Sequence, residues 1–203
     1  MVLFLKNILT VLSVTTGILT GSVLAGELAT SVDPADLASK KHTSLDLYLT
    51  AEEAHKYITA DPSILFIDVR TRAEVNYVGW ADEVDANIPF MFLEEGYILN
   101  DKGSAYREVD NDNFGFEIDD LAEAAGGGEE TVIVLICRSG NRSAKAASIL
   151  ADYGYTQVYS VVDGFEGEKD KITKHRTVNG WKNAGLPWHY GLEAEKVYHQ
   201  PES

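Results

Sequence analysis

Thr131-Val132-Ile133-Val134-Leu135-Ile136-Cys137-Arg138-Ser139-Gly140-Asn141-Arg142-Ser143 is the stretch from which the rest of the chain can be read. Thr131 to Ile136 is β-branched and apolar, the pattern of a buried strand. The polar run after it begins with Cys137, the only cysteine of the protein. From Ser143 the sequence Ser-Ala-Lys-Ala-Ala-Ser-Ile-Leu-Ala-Asp-Tyr-Gly takes helical spacing, with apolar residues at 146, 149 and 150 and a stop at Gly154. A cysteine between a strand end and a helix start faces free backbone N–H groups, and the helix N-terminus favours negative charge there. Arg138 and Arg142 add positive charge within a few residues. All three influences favour the thiolate. The site is built to hold an anion on sulfur.

A lone cysteine is most often a small buried hydrophobe. The flanking Arg138, Ser139, Gly140, Asn141 and Arg142 argue against that here, because a core cysteine needs no polar cradle. The same run, Cys137 to Ser143, closely resembles the active-site loop of single-domain rhodaneses, the sulfurtransferases. Phosphatases of that fold family use a cysteine loop one residue longer. In this chain Arg142 stands five positions after Cys137 and a serine follows it. A shorter loop makes a tighter pocket, which suits one sulfur atom better than a phosphate group.

The chain opens with Met1-Val2-Leu3-Phe4-Leu5-Lys6, then runs without charge from Asn7 to Gly26. Lys6, the apolar run and the small-residue exit Val23-Leu24-Ala25 fit a secretory signal peptide over residues 1–25. The alternative is an uncleaved membrane anchor, which the many Thr, Ser and Gly residues make a weak span. Either way the folded part is expected to be exported, periplasmic or secreted. In an oxidising compartment cysteines tend to pair, and one cysteine has no partner in its own chain, so Cys137 is either inert or a reactive thiol. Loss of residues 1–25 leaves about 178 residues, enough for one domain, and takes the formal charge from −15 to −16. That charge argues against nucleic acid and anionic membrane surfaces as partners.

Residues 26–44 are short of large apolar side chains and read as a lead-in linker. The domain is expected over 45–190. Leu45-Asp46-Leu47-Tyr48-Leu49 alternates as an edge strand does. Thr50-Ala51-Glu52-Glu53 has the spacing of a capping box, and the helix it opens is expected to reach about Thr59.

Ser63 to Arg70 is an apolar strand closing on Asp68-Val69-Arg70. Parallel strands read as continuously apolar, and open α/β sheets place ligand crevices at their C-terminal ends. The triplet, with Arg72-Ala73-Glu74-Val75, Gly79 and Asn87-Ile88-Pro89, is similar to the first half of rhodanese domains. The resemblance makes Asp68 and Arg70 supports of the cysteine loop. Where the family usually has Gly-His-Ile, this chain has Gly79-Trp80-Ala81, which puts the shape of that loop in question.

Residues 91–130 form an acidic insertion, longer than a compact domain of this family needs and carrying a local charge of −10. Asp110-Asn111-Asp112-Asn113-Phe114-Gly115 fails the EF-hand pattern, since Phe114 and Leu121 stand where oxygen ligands are required. The expected form is a solvated loop and a short helix from about Asn113, docking Phe114, Phe116, Ile118 and Leu121. Gly126-Gly127-Gly128 then leads into the central strand. Gln157 to Val162 is the next parallel strand, and Asp163-Gly164 stands where rhodaneses carry a glycine-rich turn. Residues 168–178 form a charged insertion expected to be solvated. Asn179-Gly180-Trp181 to Leu186-Pro187 resembles the family's closing motif, with Trp181 and Leu186 as core. Residues 191–203 read as a loose tail. The histidines at 42, 55, 175, 189 and 199 lack metal-ligand spacing. No metal or other cofactor is expected.

These readings converge on an α/β fold, rhodanese-like, with a central mostly parallel sheet and helices on both faces. The resemblance, to the exported bacterial type of single-domain sulfurtransferase, implies transfer of a sulfane sulfur through a persulfide on Cys137. The donor is expected to be a small anion such as thiosulfate, and the acceptor cyanide or a thiol. Arg138 and Arg142 would orient the donor, while Ser139, Gly140, Asn141 and Ser143 supply the cradle. A second reading is a non-catalytic binding or sulfur-carrier module for an exported partner protein. A third, an anion-binding phosphatase, is disfavoured by loop length.

Overall fold

A computed structural model describes residues 27–198. The expected signal peptide over 1–25, His199 and the end of the expected tail lie outside the described residues. Five strands form one parallel sheet. In chain order they are β1 (Tyr48–Leu49), β2 (Leu65–Asp68), β4 (Ala86–Asn87), β7 (Ile133–Ile136) and β8 (Val158–Val161). Two antiparallel pairs lie beside it, β3 (Trp80–Ala81) with β9 (Trp188–His189), and β5 (Met91–Leu93) with β6 (Glu108–Asp110). The helices are α1 (Ala51–Ala60), α2 (Arg72–Val78), α3 (Phe114–Ala124) and α4 (Asn141–Asp152). Among the described residues no helix is long and apolar enough to cross a membrane.

The period-2 alternation of the strands divides the core into two layers. Phe66, Val134, Ile136, Tyr159 and Val161 face one way, against Ala51, Ala54 and Ile58 of α1 and Val75 of α2. Leu65, Ile67, Ile133, Leu135 and Val158 face the other, against Phe114, Ile118 and Ala122 of α3 and Ala146, Ala147 and Leu150 of α4. Helices therefore cover both faces, which is why the central strands read as unbroken apolar runs.

Strand order across the sheet is β1-β8-β7-β2-β4. The chain leaves β2 toward one edge and β7 toward the other, so the connections diverge between these neighbours. Their C-terminal ends frame the crevice that such a switch point creates. The register pairs Asp68 with Ile136, and Val69 N–H donates to Ile136 O at 2.9 Å. That brings Arg70 and the residues after Cys137 to the same end of the sheet.

The capping box read at Thr50–Glu53 closes, and the structure shows a second at Thr71–Glu74. Thr50 and Glu53 satisfy each other's backbone N–H at the start of α1, as the spacing implies, and Thr71 and Glu74 do the same for α2. The Gly79-Trp80 departure resolves into β3. Trp80 is buried and its Nε1–H points at His189 Nε2 (2.9 Å) and Gly191 O (2.8 Å). Trp181 is fully buried, with Leu186 packed against its cluster.

Four expectations need correction. Phe116 does not dock: it is 62% exposed and meets Tyr153 edge-on, because it lies two residues, about 200°, from the Phe114–Ile118–Ala122 face. Residues 91–130 hold a hairpin, β5–β6, as well as the loop and helix; its strands are three residues each, too short to show a period. The described part of the lead-in, 27–44, is packed rather than a free linker. Leu28 N–H donates to Tyr159 Oη (2.8 Å), Ser31 N–H to Glu53 (2.6 Å), and buried Lys41 to Val162 O (2.7 Å). The described part of the expected tail also docks: Val197 bridges to Asn87, and the Tyr198 ring is buried. Scattered hydrogen bonds and a few isolated apolar side chains hold both of these segments, and such contacts leave no hydrophobic period to read.

In the 168–178 insertion, Lys171 and Lys174 are exposed, as a solvated run should be. Arg176 is only half-exposed; its Nη1 donates to Gly167 O.

Candidate active site

Cys137 is the first residue beyond β7, and Gly140 precedes the first turn of α4. The chain must turn sharply between them, and Gly140 does so at φ +89°. A Cβ there would lie 2.1 Å from Val162 O, so the position takes only glycine. The turn aims Gly140 N–H at the Cys137 sulfur, 3.2 Å away. Ser143 Oγ lies 3.5 Å from the same sulfur and 2.9 Å from Ser160 Oγ on β8. The sulfur thus meets a backbone N–H, a hydroxyl and the N-terminal end of a twelve-residue helix.

The loop is braced from behind by residues 163–167. Phe165 N–H donates to Cys137 O (2.8 Å), and the N–H groups of Glu166 and Gly167 to Arg138 O (3.0 and 3.2 Å). Gly164, at φ +65°, passes so close that a Cβ would meet Cys137 O and Ser139 N at 2.6 Å. Asp163 fixes this brace by accepting from Ala51 N–H (2.8 Å) and Gly180 N–H (3.0 Å). Burial pushes the Asp163 carboxyl up, against those N–H donors. The Asp163-Gly164 pair therefore performs the turn that its place in the sequence implied.

A cavity of about 170 Å³ opens over the sulfur, lined by Glu108, Cys137, Arg138, Ser139, Asn141 and Arg142. Cys137 is only 1% exposed and lies at the floor of this cavity. Asn141 Oδ1 is buried with no hydrogen-bond partner among the described residues.

The two arginines differ. Arg138 is exposed. Arg142 lies under the loop with its Nη1 and Nη2 donating to the Glu74 carboxylate at 2.6 and 2.5 Å, and with Glu108 Oε1 3.8 Å away. Burial works against both charges, yet the pairing prevails: Glu74 is held down at about 2 by Arg142, with Arg70 and the Thr71 N–H assisting. Arg142 is correspondingly raised. Arg176, from the charged insertion, is close enough for the charges of Arg138 and Cys137 to act on it. Burial first and the charge of Arg138 second lower its pKa.

Asp68 and Arg70 do not line the cavity. They form a fully buried ion pair one strand away, with Arg70 Nε donating to both Asp68 oxygens at 2.9 and 3.0 Å. Arg70 Nη2 also donates to Gly79 O (2.8 Å), and its guanidinium lies 4.0 Å from the centre of the Phe165 ring. Asn87 Nδ2 donates to Asp68 O and Arg70 O. Through Phe165, whose N–H holds Cys137 O, the pair reaches the loop indirectly.

Sequence reasoning gave no role to Glu74, Ser160 or Glu108. Glu74 stands three residues after Thr71, the capping-box spacing, and that signal could have marked it as a helix-start residue. Ser160 and Glu108 carry no local signal, since only strand pairing and the hairpin bring them to the loop.

Residues 50–171 match the model of the rhodanese-like domain family. The chain is 32% identical over 143 residues to the uncharacterized protein RP600 homolog of Rickettsia rickettsii, covering 70% of this chain and 96% of that one. A shorter stretch of 63 residues is 36% identical to the thiosulfate sulfurtransferase GlpE of Actinobacillus succinogenes, 30% of this chain and 45% of that protein. Among solved structures, Rv0390 from M. tuberculosis aligns with a TM-score of 0.48 and 33% identity over 70% of this chain and 96% of its own.

Proposed function

The chain belongs to the rhodanese-like domain family, and on that premise we propose that it is a sulfurtransferase working through a persulfide on Cys137. The supporting observation is the sulfur itself: the only thiol of the protein, on the cavity floor, with Gly140 N–H at 3.2 Å and Ser143 Oγ at 3.5 Å. With thiosulfate as donor, the Cys137 thiolate attacks the outer sulfur. The new S–S bond forms as the old one breaks, and sulfite leaves with the electron pair. The persulfide anion inherits the cradle that held the thiolate. An acceptor thiolate or cyanide then attacks the outer sulfur and releases the Cys137 thiolate. The covalent intermediate divides the transfer into two steps and implies ping-pong kinetics. No general base is needed when Cys137 enters as thiolate.

Intact-mass spectrometry after thiosulfate and then after cyanide, beside Cys137→Ser, tests the reading. The wild type should gain one sulfur and lose it to cyanide, and the variant should gain none. A free, reduced wild-type thiol that stays unmodified with every sulfane-sulfur donor would sink it.

A second reading, a binding or sulfur-carrier module for a protein partner, draws on the exposed Tyr97, Leu99 and Tyr106 of the hairpin insertion. Partner binding of that kind should survive Cys137→Ser. Action outside the cytoplasm, periplasmic or secreted, is proposed from the N-terminal run alone. A mature N-terminus near residue 26 in exported material is the result expected.

A further inference from the structure

The acidic insertion places a carboxylate in the reaction cavity. β6 of the hairpin carries Glu108 across the mouth of the cysteine loop, where it lines the cavity with Cys137 and Arg142. Its Oε1 is 3.8 Å from Arg142 Nη1, while its side chain remains 35% exposed. Arg142 is already engaged by both oxygens of Glu74. The Arg142 guanidinium in the cavity lining therefore faces two carboxylates, and what it offers an incoming anion is largely spent. Arg138 is the remaining arginine of the lining, and it is exposed, where water and salt weaken its pull.

A donor must bring its sulfur to the floor of this small cavity. Thiosulfate brings two negative charges, shared between its outer sulfur and its sulfonate-like group, into the space that Glu108 borders. An organic persulfide, R–S–SH, brings neutral carbon behind its sulfur instead. Resting on the sulfur-transfer reading, we propose that Glu108 is a specificity-determining residue. It turns the site away from dianionic inorganic donors and toward the sulfane sulfur of an organic persulfide. In that transfer the Cys137 thiolate attacks the outer sulfur of R–S–SH. The Cys137–sulfur bond forms, the S–S bond of the donor breaks, and R–S⁻ leaves with the electron pair, the proton staying on the outer sulfur. No outside oxidant or reductant is required.

The test is the second-order rate of sulfur loading on Cys137, followed by quenched-flow mass spectrometry in the full chain. Two donors are compared: thiosulfate, and the persulfide of N-acetylcysteine methyl ester, which has no charge apart from its sulfur. Wild type, Glu108→Gln and the control Glu95→Gln, an exposed acid elsewhere on the same hairpin, are measured in parallel. The wild type should load faster from the organic persulfide. Glu108→Gln should speed loading from thiosulfate by about tenfold, the screened repulsion of one charge on a dianion at short range, and leave the organic persulfide within about twofold. Glu95→Gln should change neither. Equal effects of Glu108→Gln on both donors, no effect on thiosulfate, or a wild-type preference for thiosulfate would each overturn the proposal. A wild type loaded by neither donor would remove the sulfur-transfer reading itself, and that outcome is separate from the other three.

Discussion

Arg142 and Glu74 meet fork to fork, two N–H···O bonds at 2.6 and 2.5 Å that tie the first turn of α4 to the first turn of α2. Arginine's planar guanidinium suits this bidentate contact, and both side chains are more than four-fifths buried. The loop that carries Cys137 is thereby fastened to the helix that follows Asp68 and Arg70.

The pair makes stability depend on acid. Glu74 titrates at about 2 in the folded chain against 4.5 ordinarily, so the unfolded chain binds its proton first as pH falls. Its contribution is complete above about pH 4.5 and is lost as pH drops toward 2. Urea unfolding of Glu74→Gln should show about 3–5 kcal/mol lost at neutral pH, because Arg142 stays buried without its partner. The difference from wild type should shrink through that acid window.

Arg70→Ala should cost a similar amount, about 3–5 kcal/mol, by stranding the fully buried Asp68 carboxylate. Arg70→Lys should recover only part of it, since an ammonium cannot serve Asp68 and Gly79 O with the same fork. Chemical denaturation of the two variants side by side measures the difference.

Gly140→Ala attacks the cradle directly. The substitution forces a Cβ against Val162 O at a φ that disfavours it, so the loop must shift and Gly140 N–H must leave the sulfur. Loss of about 1–3 kcal/mol of stability is expected, together with a fall in Cys137 loading larger than that stability loss explains. Persulfide formation measured at a temperature where both proteins remain folded separates the two effects.

The phase of α3 can be checked with two substitutions. Phe116→Ser should change stability by no more than about 0.5 kcal/mol, since the ring is exposed, whereas Ile118→Ala should cost about 2–5 kcal/mol. Comparable losses at both positions in thermal melts would show the helix to be rotated from the arrangement described.

Much of this architecture is carried by local patterns. The apolar runs at 65–68, 133–136 and 158–161 mark buried parallel strands, and the capping box at Thr50–Glu53 marks a helix start. Cys137 announced itself by standing between strand and helix among polar residues. Phe116 was misplaced because an apolar residue in a helix says nothing of its face until the angle to its neighbours is taken. The packed ends, 27–44 and 193–198, escaped because they are held by single hydrogen bonds and one or two side chains.

The sequence by itself determined that a strand, a glycine turn and a helix would put a lone thiol at a sheet's C-terminal edge. Those are short-range consequences of hydrophobic period, backbone freedom and helix polarity. Only the tertiary structure decided which charges surround that thiol. Arg142 reads as a free cation along the chain, yet Glu74, 68 residues earlier, claims it, and Glu108 arrives on a hairpin from the acidic insertion. Electrostatic interaction follows distance in space, and the folding of α2, β6 and α4 around one sheet edge sets that distance.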